Sequence, residues 1–336
     1  MVEIGYTLSS EEFGPNELVR FAAIAEDSGF SFLTISDHYH PWVSAQGNSP
    51  FAWAVLGAVA KATMRVRVGT AVTCPIMRIH PAIIAQAAAT TAMMFEGRFW
   101  LGLGAGEQLN EHVTGEGWPQ PAVRHEMLEE AIQIIRELWT GEELNYFGEY
   151  FTVDEAKLFT VPEQPPEIYL AASGPVAAER AAQQDGFIAT APSRELVEAF
   201  ESAGGEGPKL GQLTVCYDET EERAKETAHR VWPISGLPGN FQWEIKSFEQ
   251  FEEICKLVTP EQVAKSIVCG PDPQKVIEQI NQFADAGFTH VFIHNVGPKQ
   301  EEFLQWASRE VLPRFEAQAE PAGVGTRERQ LGGERP

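Results

Sequence analysis

Positively charged side chains are scarce in this sequence. Among 336 residues, 25 Lys and Arg stand against 48 Asp and Glu, which gives a formal net charge of −23 at pH 7. A surface with that charge repels nucleic acid and anionic membranes, so neither is expected as a partner. An anionic small molecule would have to be bound by local groups, such as backbone amides at a helix N-terminus or a few well-placed cations.

Cysteine is scarce as well. The four cysteines are Cys74, Cys216, Cys255 and Cys269. They lie far apart and show no C-x-x-C spacing, so the sequence predicts neither a zinc site nor a disulfide framework, and no metal is assigned. We expect each to be a small buried hydrophobic residue in a reducing compartment.

Long apolar runs and targeting segments are missing too. No run approaches the ~20 apolar residues of a membrane span. The N-terminal residues 1–6 have neither the basic nor the apolar region of a signal peptide. We therefore expect a cytoplasmic protein that acts on a small molecule and has no membrane partner.

What the sequence does contain is a regular alternation of apolar strands and amphipathic helices. Eight strands are predicted, over Ile4–Leu8, Ser31–Ile35, Arg65–Val72, Phe99–Leu103, Glu167–Ala172, Gly186–Thr190, Leu210–Tyr217 and Thr289–Asn295. Helices are predicted over Pro15–Ser28, Pro50–Ala62, Pro81–Phe95, Met127–Trp139, Pro175–Gln183 and Gln300–Phe315. This alternation predicts a parallel sheet with right-handed crossovers. A count of eight strands favours an α/β fold of the (β/α)8 TIM-barrel type over a doubly wound sheet.

Two segments interrupt the alternation. Asn145–Val153 is predicted to form a small hairpin turning at Gly148, and a helix-rich insertion is predicted over about 218–288, before the last strand. Residues 317–336 are polar and rich in Gly and Pro, so we expect a disordered tail. The interpretation is a single barrel domain over residues 1–316 followed by that tail.

The most informative stretch is Ser36-Asp37-His38-Tyr39-His40-Pro41-Trp42, which directly follows the apolar strand Phe32–Ile35. Buried polar groups need partners, and parallel barrels carry out their chemistry at the C-terminal ends of the strands. The stretch is therefore predicted to form an active-site wall. The alternative is an ordinary turn in which Asp37 caps backbone amides.

Other loops at strand ends have similar features. Gly102–Glu111 contains small residues against which a ligand can lie, with Glu107 as its first charge, although a tight turn explains it equally. Thr70–Pro75 and Ala171–Pro175 also follow strands, and Glu11 comes just after the first strand. Each loop is ambiguous alone, but their shared position at strand ends indicates one site.

Together these loops resemble the bacterial-luciferase-like superfamily, and more closely its coenzyme F420-dependent glucose-6-phosphate dehydrogenase branch. The resemblance extends to about Phe315 and is carried by Gly5-Tyr6, Ser36-Asp37-His38 with Pro41-Trp42, Ile83–Gln86, Gly104–Glu107 with Asn110-Glu111, and Ala171 with Gly174-Pro175. It implies a barrel that holds a deazaflavin in its C-terminal mouth, an oxidoreductase activity and a homodimer.

The resemblance also implies catalytic roles. His38 would act as a base on the substrate hydroxyl while hydride passes from that carbon to C5 of the deazaflavin, and an imidazole of ordinary pKa, ~6.5, can accept a proton near neutral pH. Trp42 would line the substrate pocket and steady the developing charge. Glu107 would supply or stabilise a proton at the pyrimidine side of the cofactor, and Glu11 would be a second acid near the base.

The same resemblance implies a set of cofactor contacts. The residues expected there are Asp37, His38, Ala71, Val72, Cys74, Gly106, Glu107, Asn110, Ser173 and Gly174. The Ala71–Val72 bond corresponds to a cis peptide that supports the cofactor ring. The cofactor phosphate would lie at Ser173 and Gly174, where a helix begins.

The sequence departs from that branch where the substrate phosphate is held. Thr190 keeps its place, but the three cationic positions fall on Ser193, Gln242 and Ser266, and a neighbouring histidine position falls on Trp243. Each charge-assisted hydrogen bond is worth ~1.5–3 kcal/mol, so their loss removes most of the affinity for a phosphate dianion. These positions are still expected to line the substrate pocket, and the substrate is predicted to be a less charged, more apolar alcohol or carbonyl compound rather than glucose 6-phosphate.

Three alternatives stay open. Arg194, Lys246 and Lys265 could partly replace the missing cations in a sugar-phosphate dehydrogenase, although their spacing does not favour it. The chain could instead be a luciferase-like monooxygenase that uses FMN, but His38 and Glu107 in this motif context favour the deazaflavin. A non-catalytic cofactor-binding protein is disfavoured because the expected base His38, acid Glu107 and aromatic Trp42 are all present. The other histidines, including His294 after the last strand, are expected to be structural.

Overall fold

The computed structural model describes residues 2–239 and 241–315, except for the side chain of Phe241. The strands in these residues are β1 (Glu3–Leu8), β2 (Phe32–Ile35), β3 (Arg67–Thr70), β4 (Phe99–Leu103), β5 (Leu144–Phe147), β6 (Thr152–Ala156), β7 (Glu167–Ala171), β8 (Gly186–Ala189), β9 (Lys209–Cys216), β10 (Val268–Cys269) and β11 (His290–Asn295). Eight of them run parallel in the order β1-β2-β3-β4-β7-β8-β9-β11, and β11 pairs with β1 to close the sheet. The predicted (β/α)8 barrel is confirmed.

Helices connect and cover these strands. They are α1 (Pro15–Asp27), α2 (Ala52–Ala62), α3 (Pro81–Phe95), α4 (Gln108–Glu111), α5 (Pro121–Leu138), α6 (Pro175–Ala181), α7 (Arg194–Ser202), α8 (Glu221–Val231), α9 (Phe241–Glu244), α10 (Phe248–Cys255), α11 (Pro260–Val263), α12 (Pro273–Ala286) and α13 (Gln300–Glu310). Several begin with proline. Proline suits the first helical position because the N–H that it lacks would have no partner within the helix there, and because its ring fixes φ near the helical value.

The structure corrects three helix predictions. The helix predicted from Met127 begins six residues earlier at Pro121, and the helix predicted to reach Phe315 ends at Glu310 before a 3-10 turn. The helix α7 was not predicted at all. Two features of the sequence could have indicated this helix. Ser193 is a typical N-cap residue, and its hydroxyl accepts a hydrogen bond from the Leu196 amide; the helix also has one apolar face.

Large side chains fill the interior of the barrel below its C-terminal mouth, so open space for a ligand is confined to that mouth. This floor consists of Phe32, Trp100, Tyr169, Ile188, Leu210 and Phe292. Glycine is required opposite two of the rings, because a Cβ at Gly5 would lie 2.5 Å from Phe32 and one at Gly69 would lie 2.1 Å from Trp100. The floor is therefore closed by packing.

The segment between β9 and β11 is mostly helical and reaches over the mouth. It contains α8 to α12, together with β10, which pairs with the last residues of β9. The buried residues of α8, α10 and α11 form one apolar cluster with Trp42 from the loop after β2, and the Trp42 ring lies 5.6 Å from that of Phe251. Those of α12 pack into the main core of the barrel instead. The segment thus contributes an apolar wall beside the predicted active-site stretch.

Smaller predictions are also tested by the structure. The hairpin of β5 and β6 turns through Gly148, as predicted. All four cysteines are buried and unbridged. None of the helices in the described ranges is both long and apolar enough to cross a membrane. The predicted tail and the boundary at residue 316 lie outside the described residues.

Candidate active site

His38 lies between two carboxylates. Its Nδ1 atom is 2.5 Å from Glu11 Oε1 and its Nε2 atom is 3.3 Å from Glu107 Oε1. The three side chains come from the loops after β2, β1 and β4, whose ends meet because the strands are parallel in one barrel. Residues far apart in the sequence therefore form one acid–imidazole–acid arrangement.

Serine hydroxyls hold Glu11 in place. Its Oε2 atom accepts hydrogen bonds from Ser36 Oγ at 2.8 Å and from Ser9 Oγ at 3.1 Å. Burial raises the pKa of Glu11, but the adjacent His38 outweighs this and lowers it to about 2. Glu11 is therefore a fixed negative charge against the imidazole.

Asn110 fixes the second carboxylate and the turn that carries His38. Its Nδ2 atom donates to Glu107 Oε1 at 2.7 Å. Its Oδ1 atom accepts from the backbone amides of Tyr39 at 2.8 Å and His40 at 2.6 Å. One buried amide side chain thus joins the loop after β4 to the loop after β2.

The charge on His38 differs from the sequence expectation. Burial lowers its pKa, but the carboxylates of Glu107, Glu11 and Asp37 together raise it to about 9. The imidazole is therefore a cation at neutral pH, and the expectation of an ordinary imidazole was wrong here. The sequence could not reveal this, because two of the three carboxylates reach His38 only through the closed barrel.

Aromatic rings complete the wall beside His38. The Trp42 ring stands edge-on to the imidazole, with 5.1 Å between ring centroids. His294, which was expected to be structural, is 3% exposed and packs edge-on at 4.5 Å against Trp232. Burial lowers the pKa of His294 to about 4, and Glu11 and His38 are the charged groups that act on it. It is a neutral imidazole at the site.

Asp37 does not have a free carboxylate. Its Oδ2 atom accepts from Thr73 Oγ1 at 2.7 Å and its Oδ1 atom accepts from Arg78 Nη2 at 3.0 Å. Arg78 also contacts Glu111, whose pKa burial raises to about 7 despite that cation. Sequence reasoning missed Arg78, which lies in none of the recognised motifs.

The loops expected to contact the cofactor lie close together. The Ala71–Val72 bond is cis, as the resemblance implied. A Cβ at Gly104 would lie 2.7 Å from Val72 Cγ2, and one at Gly106, where φ is +72°, would lie 2.6 Å from Cys74 Sγ. The backbone after β4 therefore lies directly against the side chains that follow β3, and only glycine permits this approach.

The other predicted cofactor positions lie at the start of α6. Ser173 is exposed and Gly174, the N-cap residue, is half-buried. A Cβ at Gly174 would meet no atom within 4 Å, so the space beside this backbone is open.

Five of the six predicted substrate positions, all except Trp42, are spread over separate segments. Thr190 and Ser266 are exposed, Ser193 caps α7, and Gln242 and Trp243 are half-buried on α9. Within the described ranges, none of the five is hydrogen-bonded to His38, Glu11 or Glu107.

The three cations considered as replacements lie on three separate segments. Arg194 donates to the Asp285 carbonyl oxygen. Lys246 and Lys265 are exposed.

Comparisons with known proteins identify the family of the chain. A family model described as luciferase-like monooxygenase matches residues 1–290. An F420-dependent glucose-6-phosphate dehydrogenase of Amycolatopsis mediterranei (strain U-32) is 38% identical over 332 residues, covering 94% of this chain and 99% of that protein. The protein of the same name from Rhodococcus erythropolis (strain PR4 / NBRC 100887) is also 38% identical, covering 94% and 98%.

Solved structures share the fold of the chain. An F420-dependent secondary alcohol dehydrogenase in complex with an F420-acetone adduct superimposes with a TM-score of 0.84 at 30% identity, covering 93% of this chain and 98% of that one. A coenzyme F420-dependent tetrahydromethanopterin reductase from Methanopyrus kandleri, at 22% identity and a TM-score of 0.75, shares the fold. The chain belongs to the luciferase-like monooxygenase family.

Proposed function

We propose that this chain is a coenzyme F420-dependent oxidoreductase that transfers hydride between an alcohol or carbonyl substrate and C5 of the deazaflavin. The observation that carries the proposal is the His38 imidazole, paired at 2.5 Å with Glu11 and at 3.3 Å with Glu107 in the mouth of the barrel. Relatives 30% to 38% identical to the chain are named as F420-dependent dehydrogenases, which supports the deazaflavin over FMN.

The residues of the mouth fit a flat heterocycle with a phosphate-bearing tail. Half-buried Ala71 and Val72 on one loop, and the close approach of Gly104 and Gly106 on the next, offer a backbone surface without bulky side chains. Together with Cys74 and Asn110 they would hold the ring, while Ser173 and Gly174 would hold the phosphate. The bound cofactor would supply the hydride acceptor or donor.

The chain's own residues would handle the proton. In carbonyl reduction, the cationic His38 would donate a proton from Nε2 to the substrate oxygen, and in alcohol oxidation the neutral imidazole would accept that proton. Glu11 contacts Nδ1 at 2.5 Å, so Nε2, whose contact with Glu107 is longer at 3.3 Å, would be the atom that exchanges the proton. The Trp42 ring packs against the imidazole in a T-shaped arrangement, with 5.1 Å between ring centroids, and covers that side of it with apolar surface.

We propose an uncharged, largely apolar substrate. The family's phosphate-anchor positions are occupied here by Ser193, Gln242 and Ser266, none of which carries a charge. The wall contributed by Trp42 and Phe251 is apolar. A glucose-6-phosphate dehydrogenase is the second candidate, because relatives of that name are 38% identical to the chain.

The deciding experiment follows the visible absorbance of F420 in the presence of secondary alcohols, ketones and glucose 6-phosphate, each assayed separately. We expect turnover with the uncharged compounds. Efficient saturation by micromolar glucose 6-phosphate would favour the second candidate. Titrating F420 and FMN against the protein fluorescence tests the cofactor, and tighter binding of FMN would contradict the deazaflavin.

We propose further that the chain forms a homodimer in the cytoplasm and that residues 1–316 fold as one domain. Four buried, unbridged cysteines support a reducing compartment. Light scattering of the purified protein tests the dimer, and limited proteolysis tests the domain boundary.

A further inference from the structure

Arg78 is a buried cation beside the site. Its side chain is 7% exposed and lies on the loop between β3 and α3. Two carboxylates from other elements face it: Asp37, after β2, and Glu111, at the end of α4. On its own loop, Cys74 is the titratable neighbour. The positive charge of this buried guanidinium is balanced by two buried carboxylates. Each carboxylate would in turn be left as an unpaired buried charge if the guanidinium were removed.

The first set of Arg78 contacts holds the turn that carries His38. Nη2 donates to the Asp37 carbonyl oxygen and to Asp37 Oδ1, each at 3.0 Å. That carbonyl belongs to the peptide bond that leads into His38, so its direction helps to set the direction of the imidazole. Thr73 Oγ1 donates a hydrogen bond to the other carboxylate oxygen, Oδ2, at 2.7 Å. The Asp37 side chain therefore has little freedom to rotate.

The second set of contacts holds the helix that follows Glu107. The Arg78 backbone N–H donates to Glu111 Oε2 at 3.0 Å, and Nε lies 3.5 Å from Glu111 Oε1. Glu111 directly follows Asn110, whose amide donates to Glu107 Oε1 at 2.7 Å. Arg78 is therefore linked to both partners of the 3.3 Å His38–Glu107 contact, one through each acid.

We propose that Arg78 is a positioning residue that holds the His38 turn and the Glu107 loop at the spacing needed for proton transfer. The inference rests on the proposed function for its kinetic consequence, but the geometry it describes is independent of the cofactor. Lysine cannot reproduce the role, because an ammonium lacks the planar fork that reaches a carbonyl and two carboxylates together.

The test compares Arg78→Lys with the matched change at Arg98. Arg98 is half-buried at the opposite end of the barrel, where its guanidinium donates to the carbonyl oxygens of Val66 at 2.8 Å and Thr63 at 3.2 Å. The Arg98→Lys variant therefore also loses buried guanidinium contacts, but far from His38.

The first measurement is a histidine NMR titration of the chain without cofactor, with the His38 signal assigned by its loss in His38→Asn. The charged groups acting on His38 are Glu107, Glu11 and Asp37, and His294 is nearby. Arg78→Lys keeps the cation but releases the Glu107 loop from the His38 turn, so the Glu107 carboxylate raises the pKa of His38 less and we expect that pKa to fall in Arg78→Lys. Arg98→Lys should leave it unchanged, and an unchanged pKa of His38 in Arg78→Lys would overturn the inference.

The second measurement uses Arg78→Lys, which keeps the charge. We expect kcat to fall about tenfold or more through misplacement of His38, with F420 affinity within about threefold and Arg98→Lys matching the parent protein. A parent-like kcat in Arg78→Lys would overturn the inference. If the chain does not turn over with F420, the proposed function fails, but the titration still decides the role of Arg78.

The NMR spectrum of Arg78→Lys also tests the inference through the His38 signal itself. Splitting of that signal supports the inference, and a single parent-like signal overturns it.

Discussion

The Nδ1 atom of His38 lies 2.5 Å from Oε1 of Glu11, although the two residues belong to loops after different strands. This contact and the one to Glu107 keep a proton on the imidazole at neutral pH. Glu11 is anchored by Ser9 and Ser36, so it cannot follow the imidazole if that ring moves. A buried imidazole whose Nδ1 is held by Glu11, and whose Nε2 has only the longer 3.3 Å contact with Glu107, is suited to exchanging a proton with a substrate at Nε2.

Replacing His38 should abolish proton transfer without abolishing cofactor binding. We expect His38→Asn to lower kcat by about 10²–10⁴-fold, the usual contribution of a general acid or base. Steady-state turnover and F420 titration measure the two effects. The control is His40→Asn on the same turn, where the imidazole contacts the Leu109 carbonyl instead. A His38→Asn enzyme with parent-like turnover would exclude the assigned role.

The rate of carbonyl reduction should depend on the Glu11 charge. In the parent, His38 loses its proton as the pH rises through about 9, so reduction should slow above that pH. Glu11→Gln removes one of the carboxylates that raise the pKa of His38, so the decline should move to lower pH. Rate profiles between pH 6 and 10 at saturating cofactor test this, with Glu17→Gln on the exposed start of α1 as the control. An unmoved profile in Glu11→Gln would contradict the pairing.

Stability should fall across the same pH range. The pKa of His38 is about 9 in the folded chain against ~6.5 when unfolded, so its contribution is fully present below pH ~6.5 and is lost as the pH rises through about 9. The difference corresponds to about 3 kcal/mol, shared with the carboxylates that cause it. Denaturant unfolding of the parent and His38→Asn from pH 6 to 10 measures it. The difference in unfolding free energy between the two should shrink as the pH rises through about 9, and a constant difference would be evidence against the linkage.

A side chain at Gly104 should disturb the cofactor loops. Its Cβ would lie 2.7 Å from Val72 Cγ2 and 3.4 Å from Ala171 Cβ. We expect Gly104→Ala to cost about 1–3 kcal/mol of unfolding free energy, as overpacking usually does, and to weaken F420 binding. A Cβ at Gly117 would meet no atom within 4 Å, and the φ of Gly117 is not positive, so Gly117→Ala serves as the control. Equal unfolding midpoints and affinities for the two variants would refute the packing argument.

Adding cations at the family's anchor positions should improve activity on a sugar phosphate. Each charge-assisted hydrogen bond is worth about 1.5–3 kcal/mol, so the Gln242→Lys and Ser266→Arg double variant should raise kcat/KM for glucose 6-phosphate by about tenfold or more. The control replaces the same residues by Met and Gln, which add length without charge. A parent enzyme that already uses glucose 6-phosphate as well as the charged variant does would contradict the substrate proposal.

The sequence alone determined the barrel, because the alternation of apolar strands and amphipathic helices is local and repeats along the chain. It also determined that polar residues gather at the C-terminal strand ends, since strand direction alone puts Glu11, His38 and Glu107 at one edge of the sheet. The extent of α5 and the existence of α7 were less accessible, because short amphipathic segments between loops have weak signals.

Only the tertiary structure decided the charges and the support of the site. The raised pKa of His38 depends on distances between loops that are up to 96 residues apart in sequence, from Glu11 to Glu107, and no local pattern encodes such distances. The contacts of Arg78 and the inward position of His294 likewise arise when the barrel closes. The local pattern of strands and helices thus determines which residues reach the mouth. The closing of the barrel determines which of them come into contact and what charge each one carries.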